Sequence, residues 1–266
     1  MTKLSIIIPI YNEENFLSRC LRSINVDDNS PHCDEVEVIA INDGSADKSG
    51  EILDEYAHLF KVVHHSTNWG VGMTRNHGIS IASGEWVTFL DADDELHPNA
   101  IAFMLGTINK EPKDPLIAFN HLRVYGDGKP VAKFVNKAGC YTLGKTMPQK
   151  WTPVWGKMVR RDFINDNGIR FPQSLSYGED EIFLLQCLRV CKHLRHENEA
   201  TILKHYDNPE SLTHTLTKKK LDEFMRCEMD LLLEDNPKGF DNAVRDLIAH
   251  RWNDPTYRSI YGGKEE

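Results

Sequence analysis

Trp86-Val87-Thr88-Phe89-Leu90-Asp91-Ala92-Asp93-Asp94 is a short apolar, β-prone run that ends abruptly in three carboxylates. Trp, Val, Thr, Phe and Leu suit a buried strand, and such a strand cannot carry ionised acids without desolvating them. The aspartates therefore belong in the crevice beyond its carboxyl end, where open α/β sheets bind ligands. Two aspartates one residue apart, with a third beside them, are hard oxygen ligands for a divalent cation that could also hold a diphosphate. The tripeptide alone reads equally well as an acidic turn capping the next helix, since Asp94 or Glu95 precedes Pro98 at a first helical turn. The segments around it decide between the two.

Those segments repeat the arrangement. Leu4 to Ile10 is apolar and β-branched and ends at Tyr11-Asn12-Glu13-Glu14, after which Phe16, Leu17, Cys20, Leu21 and Ile24 follow helical spacing. Val36 to Ile41 ends in Asn42-Asp43-Gly44-Ser45, and Ile52, Leu53, Tyr56 and Leu59 mark a second amphipathic helix. Val62-Val63 leads through Asn68-Trp69-Gly70-Val71-Gly72 into a helix expected to run through Arg75 to Ile81. The opening strand is followed by a helix bearing Ile101, Met104, Leu105 and Ile108. Four successive strand-to-helix units predict an α/β fold with a parallel sheet and right-handed crossovers. The polar residues that packing does not explain all fall after strands.

Composition narrows the field less. At 266 residues the chain can bury a sizeable core, and a formal net charge of −9, from 40 acidic and 31 basic residues, argues against a general nucleic-acid coat. No run approaches the length of a membrane span, and Asn12-Glu13-Glu14 interrupts the first apolar stretch too early for a signal peptide, so a cytoplasmic location is expected. Cys20, Cys33, Cys140, Cys187, Cys191 and Cys227 show no paired Cys-x-x-Cys spacing and read as reduced thiols.

Taken in order, Ser5-Ile6-Ile7-Ile8-Pro9-Ile10-Tyr11-Asn12-Glu13, Asn42-Asp43-Gly44-Ser45-Ala46-Asp47, Asn68-x-Gly70, Arg75-Asn76-x-Gly78 and Asp91-Ala92-Asp93-Asp94 resemble the nucleotide-binding half of family 2 glycosyltransferases with the GT-A fold. Trp155-Gly156-Lys157, Phe163 and Gly178-Glu179-Asp180-Glu181-Ile182-Phe183 resemble the acceptor half of bacterial and viral members, so the likeness covers roughly residues 3 to 214. Each motif is weak singly; the ordered set is specific. The stretch from Asn25 to Glu35 is longer and more acidic than the usual link, and the segment after residue 214 matches no motif.

The resemblance implies an inverting transfer of a sugar from a nucleoside diphosphate donor, with UDP favoured, to an acceptor hydroxyl. On that likeness Asp93 coordinates Mg²⁺ or Mn²⁺, Asp91 with Ala92 contacts the nucleoside, and Asp94 assists the metal through water. Pro9, Tyr11 and Glu13 line the nucleoside pocket and Asp43 accepts a hydrogen bond from the uracil imide. Asn68, Gly70 and Arg75 complete the donor pocket, with a structural salt bridge the other reading of Arg75. Asp180 is the matched base and Glu179 the runner-up; the helix dipole is expected to keep Asp180 ionised. His205 to His214 reads as a loop in which His214 offers a third metal ligand, and Trp151 and Trp155 stack on a sugar or fill a domain seam.

The expected architecture is a GT-A-like, mostly parallel sheet flanked by helices, with a donor half over residues 1–125, an acceptor half over 126–214 and a helical C-terminal appendage over 215–266. The expected acceptor is a glycan or lipid-linked glycan, with a hydroxylated base of nucleic acid as the lesser alternative. A sugar-nucleotide-forming nucleotidyltransferase is the rival enzyme class, but Tyr11-Asn12-Glu13 offers no glycine-rich basic loop. An inactive nucleotide-sugar binding module would lack a base or a metal ligand, and both residue types are present.

Overall fold

The computed structural model describes residues 1–26, 30, 32–124, 129–134, 136–142, 147, 151–206, 216–233, 236, 239–252 and 260. The four strand-to-helix units stand where the apolar periodicity puts them: β1 (Leu4–Ile10), α1 (Leu17–Ser23), β2 (Val36–Asn42), α2 (Ser49–Asp54), β3 (Lys61–His64), α3 (Val71–Ile81), β4 (Trp86–Phe89), the short β5 (Glu95–Leu96) and α4 (Ala100–Ile108). They are followed by β6 (Leu116–Val124), β7 (Pro130–Phe134), β8 (Gly139–Thr142), β9 (Lys157–Arg160), α5 (Arg161–Asp166), α6 (Glu179–Cys191), β10 (His193–Tyr206), α7 (Lys218–Leu232) and α8 (Phe240–Trp252).

One sheet joins both halves of the chain. Its order is β3-β2-β1-β4-β9-β6-β10-β5, with β7 on β6 and β8 on β10. Strands β3, β2, β1 and β4 run parallel, β9 is inserted antiparallel to both β4 and β6, and β10 lies parallel to β6. The sheet is therefore mostly parallel, as expected. Because β9 hydrogen-bonds β4 through Trp86–Thr88, the strand that ends at Asp91 becomes central, and Val87 and Phe89 are buried on one face and Trp86 on the other. One apolar cluster packs α1, α2 and α4 against the sheet; the other packs α3, α5, α6, α7 and α8. A Cβ at Gly78 would run into Ile7, so glycine lets α3 lie directly on β1.

The C-terminal helices close onto the start of α6. Gly178 sits at φ 77°, a left-handed conformation, and any Cβ there would collide with the Phe224 ring. Arg251 of α8 reaches Glu181 of α6 at 2.5 Å and Glu228 of α7 at 2.5 Å, and its guanidinium lies over Phe224 at 4.6 Å from the ring centre. Two carboxylates share one guanidinium in a place where Glu228 is fully buried. Burial pushes Glu181 up to about 7 and raises Glu228, each also raised or lowered by its neighbours in the trio.

A folded-state pKa above the ordinary carboxylate value stabilises the fold at low pH and loses that contribution as pH rises toward the folded value. Stability measured by urea unfolding should therefore fall between about pH 5 and pH 7.5, and Glu228→Gln, which removes one of the two competing acids, should flatten that fall. Arg251→Met leaves both acids unpaired and should cost about 3–5 kcal/mol at neutral pH. An Arg251→Met protein as stable as the wild type would show that the trio does not anchor the appendage.

Candidate active site

The strand ends deliver four loops to one edge of the sheet. The β1 loop is braced by the β2 loop through backbone donors: Asn12 N to Ser45 Oγ (3.0 Å), Glu13 N to Ser49 Oγ (2.9 Å), Glu14 N to Asp47 Oδ2 (3.0 Å), and in return Ala46 N to Asn12 Oδ1 (2.8 Å). Ser45 and Asp47 thus serve as acceptors for the neighbouring loop, and Asp47 also accepts from Ser49 N in its own turn through Oδ1 at 2.9 Å. Pro9 is partly buried at the end of β1, Glu13 is partly buried and Tyr11 is 48% exposed, its ring presented at the rim.

Asp43 follows β2 directly and is buried. Its carboxylate accepts from Trp69 N (2.9 Å) and Gly70 N (2.9 Å) and pairs with His65 Nδ1 (2.8 Å). Asn68 caps the same turn by accepting from Gly70 N through Oδ1 at 2.9 Å. Asn68 and Gly70 therefore stand beside Asp43 and shape the loop around it.

Arg75 of α3 is the centre of the site. Its side chain is 3% exposed and donates through Nη2 to Asp91 Oδ1 (2.9 Å) and through Nη1 to Glu179 Oε1 (2.8 Å) and Asp180 Oδ1 (2.7 Å). The salt-bridge reading of Arg75 is thus the geometry present, and it unites the end of β4 with the start of α6. Desolvation lowers the guanidinium pKa, and the three carboxylates of Asp180, Asp91 and Glu179 more than offset it. Glu179 does not point away from Asp180, as its position on a helix suggests; the first turn lets both reach Arg75.

Asp180 Oδ2 also accepts from Val154 N at 2.9 Å. Burial pushes its pKa up to about 7, opposed by Arg75 and helped by Glu179 and Asp91. Desolvation and two like charges oppose the helix dipole, which favours the ionised acid. A carboxylate poised near neutral pH, rather than one far below it, is what general-base chemistry favours.

Asp91, Asp93 and Asp94 each offer a carboxylate oxygen within 4.8 Å of the others, a hard-oxygen set that fits Mg²⁺ or Mn²⁺. The three are not alike. Asp91 is held by Arg75, and the Asp93 carbonyl accepts from Arg19 Nη2 at 2.6 Å. Asp94 is fully buried, faces His205 Nδ1 at 3.0 Å and accepts from Tyr206 N at 2.9 Å. Its side chain is enclosed by protein, and β10 runs on through Tyr206, so the first two residues of the segment that reads as a loop are strand. Burial pushes Asp94 up to about 7, while the hydrogen bond from His205 opposes it and raises the His205 pKa in turn. Ala92 is buried between the two acids. His214 lies outside the described residues.

The site residue that sequence reasoning missed is His205. Its ring stacks on Trp155 with centroids 4.7 Å apart and planes at 21°, and His121 meets the same indole edge-on at 4.7 Å. Trp155 and Trp151 are both buried, which supports the seam reading over sugar stacking. The acid preceding Pro98 pairs with a histidine about 110 residues later, |i−j|=111, and no local spacing carries that information. A second cluster of possible ligands, Asp114, Cys140 and His193, lies on the β8–β10 side. There His193 Nε2 and Asp114 Oδ1 already pair at 2.5 Å, with Arg195 3.4 Å from the same carboxylate.

Residues 5–151, more than half of the chain, match the family model described as glycosyl transferase family 2. The chain is 31% identical over 194 residues to the putative glycosyltransferase EpsH of Bacillus subtilis, a match covering 67% of this chain and 54% of EpsH. It is 30% identical over 198 residues to the poly(ribitol-phosphate) beta-N-acetylglucosaminyltransferase TarS of Staphylococcus aureus, covering 70% of this chain and 32% of TarS. The chain thus spans about half the length of the first of these relatives and about a third of the second. The crystal structure of S. aureus TarS 1–349 in complex with UDP-GlcNAc shares the fold with a TM-score of 0.83 at 23% identity, over 100% of this chain and 77% of that one. With the ordered motifs, the GT-A-like sheet and a family match across most of the donor half in agreement, the chain belongs to glycosyl transferase family 2, enzymes that transfer sugars.

Proposed function

We propose that the chain is an inverting, divalent-cation-dependent glycosyltransferase that moves a sugar from a UDP-sugar to a hydroxyl of a glycan or lipid-linked glycan. The observation that carries this reading is the meeting of Asp91 and Asp180 on one buried guanidinium, which sets a strand-end acid cluster beside a carboxylate poised near pH 7. The UDP-GlcNAc bound in the TarS structure supports the donor class, and the poly(ribitol-phosphate) in the TarS name supports a polymeric, hydroxyl-bearing acceptor.

In this reading Pro9, Tyr11 and Glu13 line the nucleoside pocket, Asp43 accepts from the base, and Asp91 and Ala92 border the ribose. Asp93, with His214, would hold the cation. A bound Mg²⁺ or Mn²⁺ supplies neutralisation of the charge that grows on the departing diphosphate. Asp180 takes the proton from the acceptor hydroxyl as its oxygen forms a bond to the anomeric carbon; the bond from that carbon to the phosphate oxygen breaks, and its electron pair leaves with UDP. One base on the face opposite the leaving group suffices for such a displacement. Arg75 holds Asp180 and Glu179 in place and limits the repulsion among the three acids it joins.

Removal of a positioned base typically costs ~10²–10⁴ in rate, so Asp180→Asn should lose turnover to that extent while UDP still binds in calorimetry. In the wild type kcat/KM should rise with pH through about 7, as Asp180 loses its proton, and this acidic limb should vanish in the Asn variant. If Asp180→Asn transfers sugar normally while Glu179→Gln does not, the base is Glu179.

Turnover should also stop on chelation and return with Mn²⁺ or Mg²⁺. Asp93→Ala should abolish Mn²⁺-dependent UDP binding with the fold retained by circular dichroism. Full activity after exhaustive dialysis against EDTA would remove the cation from the mechanism.

A further inference from the structure

Behind Asp43 runs a chain of hydrogen bonds that the transfer chemistry does not use. Asp43 Oδ1 faces His65 Nδ1 at 2.8 Å, and His65 Nε2 faces His77 Nδ1 at 2.8 Å. A carboxylate can only accept, so the His65 hydrogen sits on Nδ1; its Nε2 is then an acceptor, and the hydrogen of that second contact belongs to His77 Nδ1. Direction is thereby imposed along the whole chain, from His77 through His65 to Asp43. Burial, His65 and Lys61 all lower the His77 pKa, which suits the neutral ring this arrangement requires.

The histidines are held as rigidly as the bonds suggest. His65 is 7% exposed, and its backbone N–H is tied to Asn42 O at 2.8 Å. The Trp69 indole lies flat on the His65 ring, centroids 3.8 Å apart and planes at 19°, and His77 is stacked 5.1 Å away on α3. Oδ1 of Asp43 accepts from both His65 and Trp69 N, whereas Oδ2 accepts only from Gly70 N among the described residues. An oxygen has room for two donors, which leaves one acceptor direction on Oδ2.

We propose that His65, oriented by His77, is a specificity-determining residue of the donor site: it fixes Asp43 as an acceptor-only carboxylate and so selects a pyrimidine that presents an imide N–H, uracil, over cytosine. Uracil N3 carries a hydrogen, and cytosine N3 carries a lone pair. A carboxylate locked in one orientation meets the first with a charge-assisted hydrogen bond and the second with repulsion. A carboxyl group free to turn or to take a proton accommodates both. This rests on the UDP-sugar reading of the donor site.

The test compares UDP and CDP binding by calorimetry with Mn²⁺ present, using the full chain as wild type, His65→Phe and His65→Asn. Phe keeps a ring under Trp69 and removes both nitrogens, whereas the Asn amide can donate from close to the position of His Nδ1. The wild type should prefer UDP by about 10²-fold or more, as sites built around a buried polar contact do. His65→Phe should bring that preference to within about tenfold, and His65→Asn should stay within about threefold of the wild type, on the scale of one hydrogen bond to a charged group. A wild type that does not discriminate overturns the UDP reading itself; a discriminating wild type with an equally discriminating His65→Phe overturns only the role of His65. Should His65→Phe fail to fold, His77→Phe at the outer end of the chain tests the same relay, and unchanged discrimination there overturns it.

Discussion

A guanidinium that is 3% exposed must be paired from several sides, and Arg75 finds its partners at the end of β4 and at the start of α6, separated from it by |i−j|=16, 104 and 105. Desolvating that cation is tolerable only because three carboxylates surround it, and desolvating three carboxylates is tolerable only because the cation is there. The strand-end loops of the N-terminal part and the start of α6 are therefore not independent units that happen to touch. Removing Arg75 would leave Asp91, Glu179 and Asp180 repelling one another in a poorly solvated crevice, which would disperse both the acid cluster and the carboxylate near pH 7 together.

The sheet makes that meeting possible. In a purely sequential arrangement the strand after β4 would lie beside it in the same direction, but β9 is inserted between β4 and β6 and runs the other way. The chain segment that precedes β9 is thereby brought to the same edge as Asp91, and α6 follows α5 back across the face occupied by α3. Around β1 and β2 the same edge is built from backbone donors and short side-chain acceptors, Asn12, Ser45, Asp47 and Ser49, none of which depends on a long side chain holding one rotamer. Donors and acceptors of this kind are fixed by the fold itself.

What the sequence made legible was whatever is periodic or local. The alternation of apolar runs with helical spacing located β1 to β4 and the helices after them, and the same runs placed Asp43 and Asp91 at strand ends because acids cannot be buried within them. The start of α7 has a local signal of the same kind, Thr217, whose hydroxyl accepts from Lys220 N at 3.3 Å. Long-range pairing was not legible. That Glu179 shares Arg75 with Asp180, that Glu181 turns instead to Arg251, and that Asp94 is claimed by His205 are consequences of how the strands are ordered. The helix dipole at Asp180 likewise acts beside groups that no local reading includes, namely Arg75, Glu179 and Asp91 against its first turn.

The connection from Trp151 to Lys157 shows how far such packing reaches. Val154 N holds one oxygen of Asp180, and one residue later Trp155 is stacked on His205, which faces Asp94. The segment cannot slide without disturbing both Asp94, in the strand-end acid cluster, and Asp180. Two further contacts fix it in place: Gly156 O accepts from Phe119 N at 2.9 Å, and the buried Lys157 ammonium donates to Pro153 O. Burial lowers the Lys157 pKa to about 7, while the charge of Asp180 opposes that fall. A lysine is an expensive way to hold a carbonyl, since an amide would do so without a charge to desolvate. Its position three residues after Val154 gives it a second effect that an amide would lack, because whatever positive charge it carries favours the ionised form of Asp180. The same short segment thus fixes one oxygen of Asp180 and contributes to how readily that carboxylate accepts a proton.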